Sequence, residues 1–348
     1  MYKRTKSSLP VLVILVAAFV LSGTQSARVA SAKPATGFDL LSALPASDFI
    51  VYVDTQRVLT DVVPAVMVGQ SEMLAKVESH IEKFRKQVGF DPRSVDGIAV
   101  GLNFDSQNAR GATFAVIARG RFDANAAIDS GLSAAIKESR GELTKRTEVY
   151  EGRTVHLLVH ARQAGAERSA TTDSESSPTD QTMAFAALDS NTVAFGNLKS
   201  VRATIDAGLG RGRVDTELVQ LATRSANSVA CFSGKLPPDM TRLLRFIDKE
   251  GENSIASLKQ VYGSFNVTGS DAEGLVNIRM EAEQDARRVS MALNGLKLMA
   301  KIGAPHMQGE AKSIEALINS VEVYPVGNEV QITARVALAD FSPFVPHR

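Results

Sequence analysis

Five histidines, one cysteine and one glycine-rich run are the residues whose types and spacing could do chemistry in this chain. The histidines are His80, His156, His160, His306 and His347. A zinc site needs three or four converging ligands. His156 and His160 stand four apart, which on a helix would place them on one face. Their segment reads as a strand, and four strand residues span about 13 Å, so the pair cannot share a metal there. No H-E-x-x-H is present, and each histidine is read as a surface residue. Cys231 lies between Ala230 and Phe232 in an apolar strand. A nucleophilic thiol needs a lowered pKa and an adjacent base, and no base is local, so Cys231 reads as buried and structural.

Gly208-Leu-Gly-Arg-Gly-Arg213 has the glycines of a phosphate loop. Such a loop opens a helix, so that backbone N–H groups meet the anion. This run follows a helix and reads as its C-cap and a linker. Asp48, Asp54 and Asp91 each have a local role as a cap or turn former. No G-x-S-x-G elbow occurs, and with no Trp and 6% aromatics a stacking platform for sugars or bases is not expected. The reading assigns no catalytic, metal or cofactor residue, and the balance leans away from an enzyme.

The N-terminus carries an address. Lys3, Arg4 and Lys6 precede an apolar stretch from Leu9 to Leu21, broken only by Pro10. The stretch is short of the about 20 apolar residues that a membrane span needs. It leads to Ala30-Ser31-Ala32, the small-residue site of a secretory signal peptide, with cleavage expected after Ala32. The alternative is an uncleaved N-terminal anchor in the inner membrane. No cysteine follows the apolar stretch, so a lipoprotein is not expected, and one cysteine makes no intrachain disulfide. Periplasm or extracellular space around a bacterial cell is the expected destination. The chain of 348 residues holds 39 Lys+Arg and 38 Asp+Glu, with four of the cations and none of the acids ahead of residue 33. The remaining small acidic excess argues against a sequence-wide design for nucleic acid or anionic membrane, while a local basic patch stays open.

The elements that would position these residues alternate between hairpins and single helices. Residues 33–47, with Pro34 and Pro45, read as a linker. Asp48–Val53 reads as a buried strand. Met73, Leu74, Val77, Ile81, Phe84 and Val88 mark one face of a helix. Strands near Gly97–Asn103 and Ala112–Gly120, a helix capped by Asp123, and hairpins at Thr147–Val159 and Met183–Phe195 follow. Residues 161–181 are polar and read as a long solvated, disordered loop. Asn197 caps a helix ending at Gly208.

From Asn227 the order recurs: a strand, a helix around Met240–Ile247, strands at Gln260–Val267 and Gly274–Glu283, a helix capped by Asp285, and a hairpin at Val321–Val336. Val321-Glu-Val-Tyr324 echoes Thr147-Glu-Val-Tyr150. The reading is an α+β fold of two repeated β-α-β-β-α-β-β units, residues 48–215 and 216–348, mostly antiparallel with helices packed on one face. Met291, Leu298 and Met299 fall at i, i+7, i+8 on one helix, a stripe that fits plain core or the wall of an apolar cavity.

Asp48-Phe-Ile-Val-Tyr-Val-Asp54 and Ala194-Phe-Gly-Asn-Leu-Lys-Ser-Val-Arg-Ala-Thr-Ile-Asp-Ala207 resemble segments of a family of uncharacterised exported bacterial proteins. The resemblance implies an envelope protein and carries no site residue across. Three functional readings follow. The first is a non-enzymatic scaffold that binds an envelope protein or a second copy of itself. The second is a carrier of an apolar ligand such as a lipid. The third is an envelope hydrolase whose acids and His156 or His160 converge from separate elements. No nucleic-acid partner and no cofactor is expected, and membrane contact is expected only through the signal peptide or an uncleaved anchor.

Overall fold

The computed structural model describes residues 37–67, 71–104, 113–160, 182–225, 227–236, 257–303 and 311–338. Ala30 and Ala32, the polar stretch 161–181 and the helix expected around Met240–Ile247 lie outside the described residues.

Helix α1 (Gly37–Ser42) leads into strand β1 (Phe49–Asp54). The Asp54 carboxylate accepts from the Arg57 N–H at 2.9 Å and caps a helical run through Thr55–Arg57, a π turn at Val58–Val62, and Val63–Val66. Helix α2 (Ser71–Val88) precedes β2 (Val95–Asn103) and β3 (Thr113–Gly120). Asp123 caps α3 (Ala124–Glu138). The hairpin β4 (Leu143–Tyr150) and β5 (Arg153–His160) turns at Glu151 and Gly152, whose φ of 48° and 73° suit a two-residue turn. Next come β6 (Met183–Asp189) and β7 (Thr192–Asn197), and Asn197 caps α4 (Leu198–Gly208). Helix α5 (Thr216–Ala222) leads to β8 (Ala230–Gly234), β9 (Leu258–Thr268) and β10 (Asp271–Met280). Helices α6 (Glu283–Gly303) and α7 (Ala311–Ser320) precede the hairpin β11 (Glu322–Val326) and β12 (Glu329–Ala337). Glu283 already stands in α6, so Asp285 lies in its first turn and is not its cap.

The fold is α+β. All twelve described strands form one antiparallel sheet in the order β11-β12-β10-β9-β8-β1-β2-β3-β7-β6-β5-β4. The two halves meet where β1 pairs with β8, with Tyr52 opposite Cys231. Outward from that seam the order agrees through three strands and the hairpin beside them, β6–β7 on one side and β11–β12 on the other. The β4–β5 hairpin adds two strands with no counterpart among the described residues. Thr147–Tyr150 and Val321–Tyr324 therefore echo each other in sequence from different places in the sheet.

Side chains alternate between the two faces of a strand, so the register assigns each residue a face. On the front face one row across the sheet is Glu322, Thr333, Leu275, Ser264, Cys231, Tyr52, Ala99, Ile117, Ala194, Ala186, Val155 and Glu148. From Ala99 to Val155 every member is fully buried, whereas Ser264, Leu275 and Thr333 are half-buried and Glu322 is exposed. The adjoining back row includes Val323, Ile332, Val276, Gly263, Phe232, Val51, Val100, Val116, Phe195 and Phe185. Gly263 is needed there, because a Cβ would sit 2.2 Å from the Leu275 carbonyl and 2.8 Å from the Phe232 ring.

The helices cover both faces rather than one. On the front, Leu40, Leu41 and Leu44 of the α1 segment join Leu218, Val219 and Ala222 of α5 over Ile50, Tyr52, Ala99, Ile117 and Cys231. Val201 and Ile205 of α4 cover Val155, Ala184 and Ala186. On the back, Ile128 and Leu132 of α3 pack with Val193, Phe185 and Leu158. There too, Ala286, Val289 and Leu293 of α6 pack with Met280, Val330 and Ile332. Both faces of β1 to β3 and β7 are apolar, so both need a layer. Residues 37–44, read from the sequence as part of a linker, are thus core: Leu40, Leu41 and Leu44 are at most 1% exposed.

Truncating the fully buried Leu41 to Ala is expected to cost about 2–5 kcal/mol, because it removes apolar contact and leaves a cavity. The same change at Leu209, 54% exposed at the end of α4, should be nearly neutral. Urea unfolding of both variants checks this, and equal small effects would return residues 37–44 to the status of a linker.

Candidate functional site

His306 and His347 lie outside the described residues, and among the described residues those singled out by type do not converge. His80 is exposed on α2, and its Nδ1 lies 2.7 Å from the Lys76 carbonyl. His160 ends β5 and is exposed. His156 is half-buried on the back face opposite Phe185, not on the surface as expected from sequence. Its Nδ1 is buried without a hydrogen-bond partner. Burial, then the charge of Lys145, lowers its pKa, so the neutral ring is favoured. Cys231 is 5% exposed, and burial pushes its thiol up to about 12. A thiol so held stays protonated and unreactive at neutral pH.

The glycine-rich run closes α4. The Leu209 N–H reaches the Ile205 carbonyl, and Gly210 takes the left-handed conformation that a helix C-cap requires. Arg211 pairs with Asp206 at 2.5 Å and Glu151 at 3.0 Å, while Arg213 donates to the Ala207 carbonyl. Asp48 accepts from the Phe104 N–H at 3.0 Å, and Asp91 caps and pairs with Arg93. Among the described residues no group of three or more His, Cys, Asp or Glu is placed to hold a metal ion.

The strongest polar constellation lies elsewhere, on the front face of β9, β10 and β12. Tyr262 is 3% exposed and donates its hydroxyl to Glu329 at 2.7 Å. The Arg279 Nε donates to the other Glu329 oxygen at 3.0 Å, and its Nη1 reaches Glu217 of α5 at 2.9 Å. Arg224 donates to the Tyr262 hydroxyl and lies 3.4 Å from Glu329. Both guanidinium groups also approach the Tyr262 ring, at 5.7 and 5.8 Å from its centre. Burial pushes the Glu329 carboxyl upward, but the bonds from Tyr262 and Arg279 and the nearby cations outweigh it and hold its pKa below the usual carboxylate range. Burial, reinforced by Glu329, pushes the Tyr262 phenol up to about 12.

Beside this network the same face forms a shallow groove of about 550 Å³, lined by Ser264, Asn266, Glu273, Gln331, Thr333 and Arg335 among others. Arg335 pairs with Asp271 at 2.8 Å and Glu273 at 3.4 Å. Arg57, reaching across from the other half, donates to Asn266 at 2.9 Å. The lining offers hydroxyls, amides, carboxylates and one guanidinium, a set suited to hydrogen bonding. Among the described residues its lining holds no histidine or cysteine to activate a hydroxyl.

Sequence reasoning passed over every one of these residues, because none belongs to a chemical motif. A signal was present in the alternation. Gln260, Tyr262, Ser264 and Asn266 alternate with Val261, Gly263, Phe265 and Val267, and Glu329, Gln331, Thr333 and Arg335 alternate with Val330, Ile332 and Ala334. Such strands have one face on the core and one facing water or a partner.

Neither family models nor curated proteins match the chain. Among solved structures, crystal form III of TP0453 matches with a TM-score of 0.45 and 8% identity, over 90% of this chain and 98% of that one. Form IV gives 0.43 and 9%, over 88% and 96%, and form I gives 0.42 and 9%, over 90% and 96%. A likeness of this degree carries no function across.

Titration of the network has two signs. A carboxyl lowered by folding contributes stability that is present above its unfolded value of about 4.3 and is lost as pH falls through the folded value. A raised phenol contributes stability that is complete below about 10 and is lost as pH rises toward 12. Glu329→Gln should therefore flatten the acid limb of stability against pH, and Tyr262→Phe the alkaline limb. Urea midpoints across pH measure both, and limbs parallel to wild type would show that the network does not form.

Proposed function

We propose that this chain is an exported protein of the bacterial envelope, cleaved after Ala32 and released to the periplasm or the cell exterior. Its task is to bind another protein without catalysis, through the open front face of β9, β10, β12 and β11. The observation that carries this reading is the front row. Its members Ala99 to Val155 are apolar and sealed under helices, while Ser264, Leu275 and Thr333 are half-buried, Glu322 is exposed, and three of these four are polar.

A polar face in an otherwise covered sheet contributes little to the core. Its energetic use is to exchange hydrogen bonds with water for hydrogen bonds with a partner. The Tyr262–Glu329–Arg279 network holds one flank of the face rigid, because each member is fixed by two or more others. A rigid flank lowers the ordering cost of association. The carrier reading has lost its supporting feature. Met291, Leu298 and Met299 are 66%, 61% and 70% exposed, so they line no interior cavity.

The single buried cysteine makes a direct test available, since a new exposed thiol can be labelled selectively. Thr333→Cys carrying a photo-crosslinker, expressed in its own envelope, should give one discrete protein adduct. A second substitution on the same face, Gln331→Arg, should abolish that adduct. Val149→Cys, 76% exposed on the far edge strand β4, should give none. An adduct at twice the chain mass would identify the partner as a second copy. No adduct at Thr333, or equal adducts from Val149, would overturn the reading.

A further inference from the structure

We infer that the outer surface of α6 docks on an anionic lipid bilayer, independently of the front-face reading and from the opposite side of the sheet. Helix α6 buries Ala286, Val289 and Leu293 against the back of β10, β12 and β11. Its other side carries Met291, Leu298, Met299 and Ile302, at 66%, 61%, 70% and 66% exposure. These positions, with Gly295 between them, fall at i, i+4, i+7, i+8 and i+11 and make one stripe along the helix. Single exposed apolar residues are ordinary. Here, among the described residues, five of the eleven large apolar side chains found exposed, Leu296 included, belong to this one helix.

The charges around the stripe choose the occupant. From Ala286 to Gly303 the helix has Arg287, Arg288, Lys297 and Lys301 and no acid. Arg287 and Arg288 pair with Glu283 and Asp285 within the first turns, at 2.5 and 4.0 Å, and both remain more than half exposed. Ion pairs that exposed are weak and readily exchanged for another anion. Lys297 donates to the Val321 carbonyl and secures α6 to the start of β11. An apolar stripe of flexible Met and Leu side chains bordered by cations is the pattern of a helix lying in the headgroup plane. A protein partner would be expected to offer acids to these cations, and an anionic membrane offers both the charge and the apolar layer beneath it.

Flotation with vesicles of phosphatidylcholine alone, and of phosphatidylcholine mixed with phosphatidylglycerol, tests the inference on the whole purified protein. The protein should float with the mixed vesicles, and added salt should release it. Leu298→Ser with Met299→Ser should weaken that binding by about tenfold or more, since two inserted apolar side chains are lost. Both positions are exposed, so the fold and its urea midpoint should be kept. Leu209→Ser, an exposed apolar site elsewhere, should change nothing. An N-terminal apolar segment, if retained, contributes equally to all three proteins. The inference is overturned if the wild type ignores mixed vesicles, or if the double variant floats as well as wild type. It is also overturned if sedimentation shows the double substitution dissolving a dimer, since the stripe would then be a contact between copies.

Discussion

Pairing of β1 with β8 is the constraint on which the rest of the molecule depends. Each strand is central in the sheet, and each has a hydrogen-bonded neighbour on its other side, β2 or β9. Opening the seam would leave two edges of unpaired N–H and C=O groups in the middle of the protein. Side chains reinforce it on both faces. On the front, Tyr52 and Cys231 lie side by side beneath α1 and α5. On the back, Phe49 stacks on Phe232 with ring centres 5.7 Å apart. The α1 segment packs on β1 and β2, α5 spans β8, β9 and β1 across the seam, and one apolar cluster includes residues from both halves. The two units therefore share a core as well as a sheet.

Once the seam is closed, the same row of positions runs from a sealed environment to an open one. The change falls at Cys231, the last strongly buried member before Ser264. On one side alternate residues are Ala, Ile and Val, which gain by being covered. On the other they are Ser264, Leu275, Thr333 and Glu322, three of them polar side chains that can keep hydrogen bonds with water. The sheet thus stabilises the protein with one half of its front face and presents the other half. Its back face follows a different rule: it is apolar nearly throughout and is layered by α2, α3 and α6.

Much of this was legible in the sequence, and the limits have physical causes. Caps are local signals, and Asp123 and Asn197 do start helices while Glu151-Gly152 turns a hairpin, but Asp285 lies inside the first turn of α6 because that helix begins earlier, at Glu283. Strand existence was legible from alternation. What sits beside what was not, because pairing of β1 with β8 joins residues far apart in sequence. Residues 37–44 read as linker in sequence, since Pro45 and the short run of Leu40, Leu41 and Leu44 give no full helical period. Their burial comes entirely from tertiary packing. The placement of helices on one face failed for a related reason. Periodicity says that a helix has an apolar side, but not which side of the sheet that side meets. Apolar spacing alone does not distinguish an inner face from an outer one, so the stripe of Met291, Leu298 and Met299 reads in sequence as core or cavity wall, whereas Ala286, Val289 and Leu293 hold the inner face. The Tyr262–Glu329–Arg279 network was invisible to motif reading, since its members come from three strands.

Native-state hydrogen exchange across a denaturant series tests the central claim, that the halves are one sheet closed at β1 and β8. Amides of Phe49–Asp54 and Ala230–Gly234 should be the most protected in the chain. Those of β2, β3 and β7 and those of β9, β10 and β12 should converge on a single opening free energy as denaturant rises. Separate opening of β8 to β12 at a clearly lower free energy, with β1 to β7 still protected, would contradict a shared core and leave two units that merely touch.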